Sequence, residues 1–161
     1  MRKKSGFTMV ELVIVIAIIA ILASIAVPNL LRWLPNYRLR SATQDLFNNI
    51  QLTKLTAIKR NTNCAVTFLA DRYTVFVDTN GNFIDDDGAQ IKSVLWTQYH
   101  GNVSVTGNTF DPSAGQPTFA FQPSGLPEVN LGLPNGTVSL NNTNGRNTSV
   151  VVSQAGHIRI P

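Results

Sequence analysis

Arg2-Lys3-Lys4-Ser5-Gly6-Phe7-Thr8-Met9-Val10-Glu11 opens the chain and runs into residues 12–27, which are Leu, Val, Ile and Ala broken by one Ser, before Pro28. Three basic residues thus precede a long apolar run whose start holds a single carboxylate. Counted from Phe7 to Leu31 there are 25 residues. As a helix rising ~1.5 Å per residue they would span ~37 Å, enough to cross a hydrocarbon core of ~30 Å with some tilt. Positive flanks stay cytoplasmic, so Arg2, Lys3 and Lys4 orient the span and place the remainder of the chain on the other side of the membrane. Ser24-Ile25-Ala26 offers the small residues of a secretory cleavage site. The length of the run and Glu11 argue against that plainer reading, because a carboxylate at membrane depth costs about 3 kcal/mol and calls for a partner.

Lys4-Ser5-Gly6-Phe7-Thr8-Met9-Val10-Glu11 resembles the prepilin motif of type IV pilins and type II secretion pseudopilins. The resemblance implies cleavage between Gly6 and Phe7 by a prepilin peptidase and N-methylation of Phe7. It also implies that Glu11 meets the terminal amine of a neighbouring subunit and so sets the axial register. The physics agrees: a carboxylate carried out of lipid into a filament needs a counter-charge, and cleavage creates a cationic amine at Phe7. Residue 6, without a side chain, lets the backbone enter a tight protease site.

At 161 residues the chain divides naturally into a membrane helix and one domain of about 100 residues. The expected divisions are a leader at 1–6, a transmembrane half-helix at 7–31, an amphipathic half-helix at 32–61 and a β-sheet domain at 62–161. The formal charge of +4 falls to +1 once Arg2, Lys3 and Lys4 are set aside, so overall basicity gives no case for a nucleic-acid partner. The charge is uneven, however. Residues 32–60 are basic, and residues 71–128 carry Asp71, Asp78, Asp85, Asp86, Asp87, Asp111 and Glu128 against Arg72 and Lys92. That asymmetry suits either neighbour contacts in an array or a solvated surface. Cys64 is the only cysteine, which excludes an internal disulfide and, beside Ala65-Val66, predicts a buried apolar thiol.

Pro28 and Pro35 interrupt the helical pattern without ending it. From Arg38 to Arg60 a helical stripe returns at Leu39, Ala42, Leu46, Ile50, Thr53 and Ala57, with Phe47 and Ile58 beside it and Leu52 and Leu55 on the other side. Asn61-Thr62-Asn63 stops the helix. Residues 64–69 and 73–77 then alternate and read as a hairpin, and 91–97, 103–105, 118–121, 137–140, 149–152 and 157–160 read as further short strands. The fold class expected is α+β, one long N-terminal helix packed on an antiparallel sheet.

The order of these pieces resembles the GspH/FimT branch of minor pilins and pseudopilins. The residues that carry this are Tyr73 to Asn82, Phe121-Gln122-Pro123-Ser124-Gly125 and Val150 to Ile160. The resemblance implies a bacterial inner-membrane precursor with a periplasmic domain, later a subunit of a pilus or pseudopilus, whose partners are other pilins and the peptidase.

Three further constellations bear on chemistry. Asp78, Asn80 and Asn82, with Asp86 following, have the spacing that opens a calcium loop. Phe83 stands where such a loop needs Gly and Ala89 where it needs Glu, which favours a plain acidic loop and no cofactor. Gly156-His157-Ile158-Arg159 resembles the Gly-Arg-x-Arg motif with which some FimT-type pilins bind DNA during uptake. Gly156 and Arg159 match, His157 removes one permanent charge, and Arg146 could restore it if its loop lay nearby. Catalysis has no support: His100 and His157 accompany no nucleophile motif, and no Cys or His falls in a metal-ligand cluster. A structural subunit, not an enzyme, is expected.

Overall fold

The computed structural model describes residues 7–85, 88–100, 103–110, 112–113, 116–128 and 136–161. Helix α1, Met9–Arg60, is a single element of 52 residues through both prolines. Its start is capped. The Thr8 hydroxyl accepts the Glu11 N–H at 3.2 Å, serving one of the unpaired donors of the first turn, and the Thr8 carbonyl accepts the Leu12 N–H at 3.2 Å as the first helical hydrogen bond. Its end is capped as firmly. Asn61 adopts the left-handed conformation at φ 53°, the Thr62 N–H reaches the Ala57 carbonyl at 3.3 Å and the Asn61 N–H reaches that of Ile58 at 3.4 Å. This is the Schellman arrangement, with Asn in the place usually taken by Gly, and Lys59 and Arg60 add positive charge at the negative end of the helix dipole.

The chain forms two compact units, Met1–Leu34 and Pro35–Pro161. In the first, the described residues through Trp33 are exposed, and the helix is long and apolar enough to cross a membrane. In the second, every member of the expected stripe is buried: Leu39, Ala42, Leu46, Ile50, Thr53 and Ala57. Thr43 and Thr53 lie on that face at no polar cost, because their hydroxyls donate to the carbonyls of Leu39 and Asn49, each at 2.8 Å. Asn49 donates to the Tyr73 hydroxyl at 2.6 Å, tying helix to sheet by a buried polar contact. Ile58 departs from the expectation. It is 48% exposed, because it faces the Gly125 turn instead of the core.

The expected hairpin is present as β1, Asn63–Phe68, and β2, Arg72–Asp78, in register from Asn63↔Asp78 to Phe68↔Tyr73. The remaining strands are β3 Gln90–Leu95, β4 Val103–Asn108, β5 Pro112–Ser113, β6 Gln116–Phe121, β7 Gly136–Asn142, β8 Asn147–Val152 and β9 Ile158–Arg159. They do not make one sheet. A five-stranded sheet runs β3-β2-β1-β6-β5, a four-stranded one runs β4-β7-β8-β9, and all pairings are antiparallel. Helix α1 and both sheets share a single core. Aromatic rings bridge the sheets: Phe110, just past β4, lies 5.4 Å from Phe68 in β1 and 4.9 Å from Phe119 in β6. The Phe110 ring occupies the space a side chain at residue 136 would fill, so β7 must begin with Gly.

The strand expected at 91–97 ends at Leu95, which is the partner of Arg72, the first residue of β2. With no ladder left to join, Trp96–Tyr99 coil into one 3-10 turn. The Trp96 backbone N–H donates to the Asp71 carbonyl at 2.8 Å and its indole to that of Leu69 at 3.3 Å, so the turn seals the β1–β2 hairpin. The Tyr99 hydroxyl donates to the Asp45 carboxylate of α1 at 2.9 Å.

Candidate assembly segment and surface sites

Gly6 lies outside the described residues, so the expected cleavage point is seen from one side only. Phe7 is 82% exposed and precedes the Thr8 cap. Glu11 is the third helical residue, exposed, with its backbone N–H held by Thr8. A negative side chain there is favoured by the positive end of the helix dipole. From Leu12 to Leu31 no side chain is ionisable. The Ser24 hydroxyl donates to the Ile21 carbonyl at 2.7 Å, which satisfies it within the helix. The segment therefore joins a capped, acidic first turn to an apolar surface that the monomer does not cover.

The acidic loop after β2 turns its oxygens on itself. The Asp78 carboxylate, nearly wholly buried, accepts the N–H groups of Gly81 at 2.8 Å and Phe83 at 3.3 Å. Asn80 accepts from Asn82 at 3.0 Å and Asn82 from Ile84 at 2.8 Å. Phe83, held at φ 59°, packs on Ala65, Phe76 and Ala120 and covers the far face of the five-stranded sheet. Phe83 thus takes, at the sixth position, the left-handed turn for which a calcium loop uses glycine, and its ring plugs the sheet face. The three side chains with ligand spacing, Asp78, Asn80 and Asn82, each accept backbone N–H groups of their own loop. Asp86 lies outside the described residues, and among the described residues no cluster of three His, Cys, Asp or Glu side chains forms a metal group.

The two Gly-bearing stretches that mark the GspH/FimT resemblance meet. Gly156 lies at φ 72° in the turn between β8 and β9, and a side chain there would come within 2.7 Å of the Gly125 carbonyl. Lys54 of α1 reaches over both turns and donates to the Gly156 carbonyl at 2.8 Å. A side chain at Gly125, at φ 77°, would meet Ile58 at 2.8 Å. Gly156 is thus a packing residue of this junction. Nothing in the sequence pattern singled out Lys54, whose partner lies 102 residues away.

The basic residues of the expected DNA surface do not come together. Arg159 is exposed and pairs with Val151 near one end of β8, while Arg146 is exposed in the turn at the other. Five residues of strand, ~17 Å at ~3.4 Å each, separate those ends. His157 is exposed beside Arg159, and its backbone N–H donates to the Ser153 hydroxyl at 3.1 Å.

Residues 42–156 match the family model described as Type II transport protein GspH. The chain belongs to the GspH family. Residues 1–27 also match the prokaryotic N-terminal methylation motif. This GspH-family chain is 31% identical over 163 residues to the pilin-like protein PilA1 of Thermus thermophilus, across 98% of each chain. A stretch of 31 residues is 68% identical to the type IV wide pilus major component PilA4 of that organism, 19% of this chain and 24% of that one. Among solved structures, the type IV minor pilin FimU of Pseudomonas aeruginosa aligns with a TM-score of 0.60 at 16% identity, covering 78% of this chain and 90% of that one. The minor pseudopilin EpsH of the Vibrio cholerae type 2 secretion system aligns at 0.55 and 13%, covering 77% and 96%. At such identities these two show the fold, which is that of pilins. The full-length pilin-like relative and the N-terminal methylation motif agree with that family assignment.

Proposed function

We propose that the chain is a minor subunit of a type IV pilus or of a type II secretion pseudopilus. It is made as an inner-membrane precursor, cut between Gly6 and Phe7 by a prepilin peptidase, and methylated on Phe7. Arg2, Lys3 and Lys4 hold the leader in the cytoplasm and the folded unit lies in the periplasm. The observation that carries this reading is the uncovered apolar half of α1, exposed at every residue through Trp33. Water tolerates no such surface, so lipid must cover it before assembly and neighbouring subunits after it. Glu11 stands on the first turn, four residues from the amine that cleavage would create, and supplies the charge that fixes register. The work is assembly and requires no cofactor.

Glu11→Ala tests this. The variant should reach the membrane fraction at the native level and be cut, yet be lost from sheared filaments or pseudopili by about tenfold, as expected when a buried charge loses its partner. Normal incorporation would overturn the role of Glu11. The alternative of a DNA receptor in transformation rests on Gly156, Arg159 and Arg146. The separation of the two arginines along β8 and the use of Gly156 as a packing residue weigh against it.

A further inference from the structure

Residues 12–31 form twenty consecutive positions without an ionisable side chain, bounded by Glu11 and Arg32. Twenty helical residues rise ~30 Å, the thickness of a hydrocarbon core. Trp33 follows Arg32 directly and is 55% exposed, and Arg32 is exposed as well. The other tryptophan, Trp96, is 5% exposed and packs 5.1 Å from Tyr73. An indole has an apolar body and one N–H donor, which suits the boundary between hydrocarbon and headgroups. A guanidinium presents several donors to phosphate oxygens, and its aliphatic stem can lie along the apolar boundary.

We propose that Arg32 and Trp33 form an interfacial anchor that sets the depth of the span, with the guanidinium on a lipid phosphate and the indole at the edge of the hydrocarbon. The inference rests on the membrane-precursor reading above and adds its lipid contact. A lipid surface is the occupant because the pair closes the uncharged run at the length where hydrocarbon ends, with Glu11 closing it on the other side. The subunit then leaves the bilayer only by withdrawing both side chains from the headgroups, which places the contact in the step before filament entry.

The test uses the full chain reconstituted in vesicles of phosphatidylcholine and phosphatidylglycerol, with Trp33→Phe and Arg32→Gln for comparison. Flotation reports insertion. Quenching by lipids brominated near the headgroup or near the chain ends reports depth, against a constant background from enclosed Trp96. The chain should float, and shallow bromines should quench at least ~2-fold more than deep ones, as for an interfacial indole. That signal should vanish in Trp33→Phe, and Arg32→Gln should still float but lose the preference for shallow quenching. A floating chain quenched mainly by deep bromines, or by neither, overturns the anchor; the second result would leave Trp33 to a contact between subunits. An Arg32→Gln profile equal to the native one also overturns it. A chain that does not float overturns the membrane-precursor reading and the anchor together, so the two failures are distinguishable.

Discussion

Cys64 has no exposed surface, and burial pushes its thiol from 9.0 to about 11, with the nearby Arg60 charge opposing only in part. Burial likewise raises the hydroxyls of Tyr73 and Tyr99 well above their usual 10.0. Groups whose folded pKa is raised contribute stability that is full below their unfolded value and is lost as pH rises through the folded one. The protein should therefore lose stability steadily above about pH 9. Comparing unfolding of the detergent-solubilised chain with that of Cys64→Ala from pH 8 to 11 checks this. The variant should lack a fall on the order of 2 kcal/mol between the two thiol values, keeping the tyrosine component. An identical slope in both would mean that the thiolate is not excluded. At this scale the buried thiol and the prepilin-like residues were legible from neighbours in sequence. The Thr8 cap has a sequence signal as well, because Thr8 and Glu11 have the spacing of a capping box.

Helix α1 carries two surfaces of opposite fate in its second half. Leu46 is wholly enclosed, whereas Leu55, two and a half turns on, is 61% exposed. Leu46→Ala should cost about 2–5 kcal/mol through lost burial and the cavity left behind. Leu55→Ser should change stability by less than about 0.5 kcal/mol. Denaturant unfolding of both variants measures the difference, and equal losses would mean that the stripe has been misplaced. The stripe was legible because a helical period is set by spacing along one element. Strand ends were less so. Residues 96 and 97 have strand composition, yet the ladder stops where β2 begins, and the two hydrogen bonds from Trp96 to the hairpin select a 3-10 turn. β5 has no signal of its own, because its two residues owe their conformation to β6.

Over the whole molecule, much of the acidic charge is engaged by neighbours within its own domain. Asp78 holds its own loop, Asp71 pairs with Arg72 at 2.7 Å, Asp85 accepts from Gln90 and Glu128 from Gln122, each at 2.9 Å. The basic side is dispersed too, with Lys54 engaged at Gly156 and Arg146 far along β8 from Arg159. Binding of duplex DNA by the detergent-solubilised chain should be weak even at low salt, and Arg159→Ala should change it by less than about 2-fold, because nonspecific affinity scales with the number of phosphate contacts. Tight, salt-sensitive binding abolished by Arg159→Ala would restore the receptor reading. The sequence by itself determined the long helix, its apolar run, its buried stripe and the first hairpin. Each depends on periodicity or on neighbours a few residues apart, which the order of side chains states directly. Only the tertiary structure decided the division into two sheets, the conversion of the acidic loop into a cover led by Phe83, and the junction of Lys54, Gly125 and Gly156. Those contacts join residues tens to a hundred positions apart, and no local spacing records which distant backbone a side chain will meet.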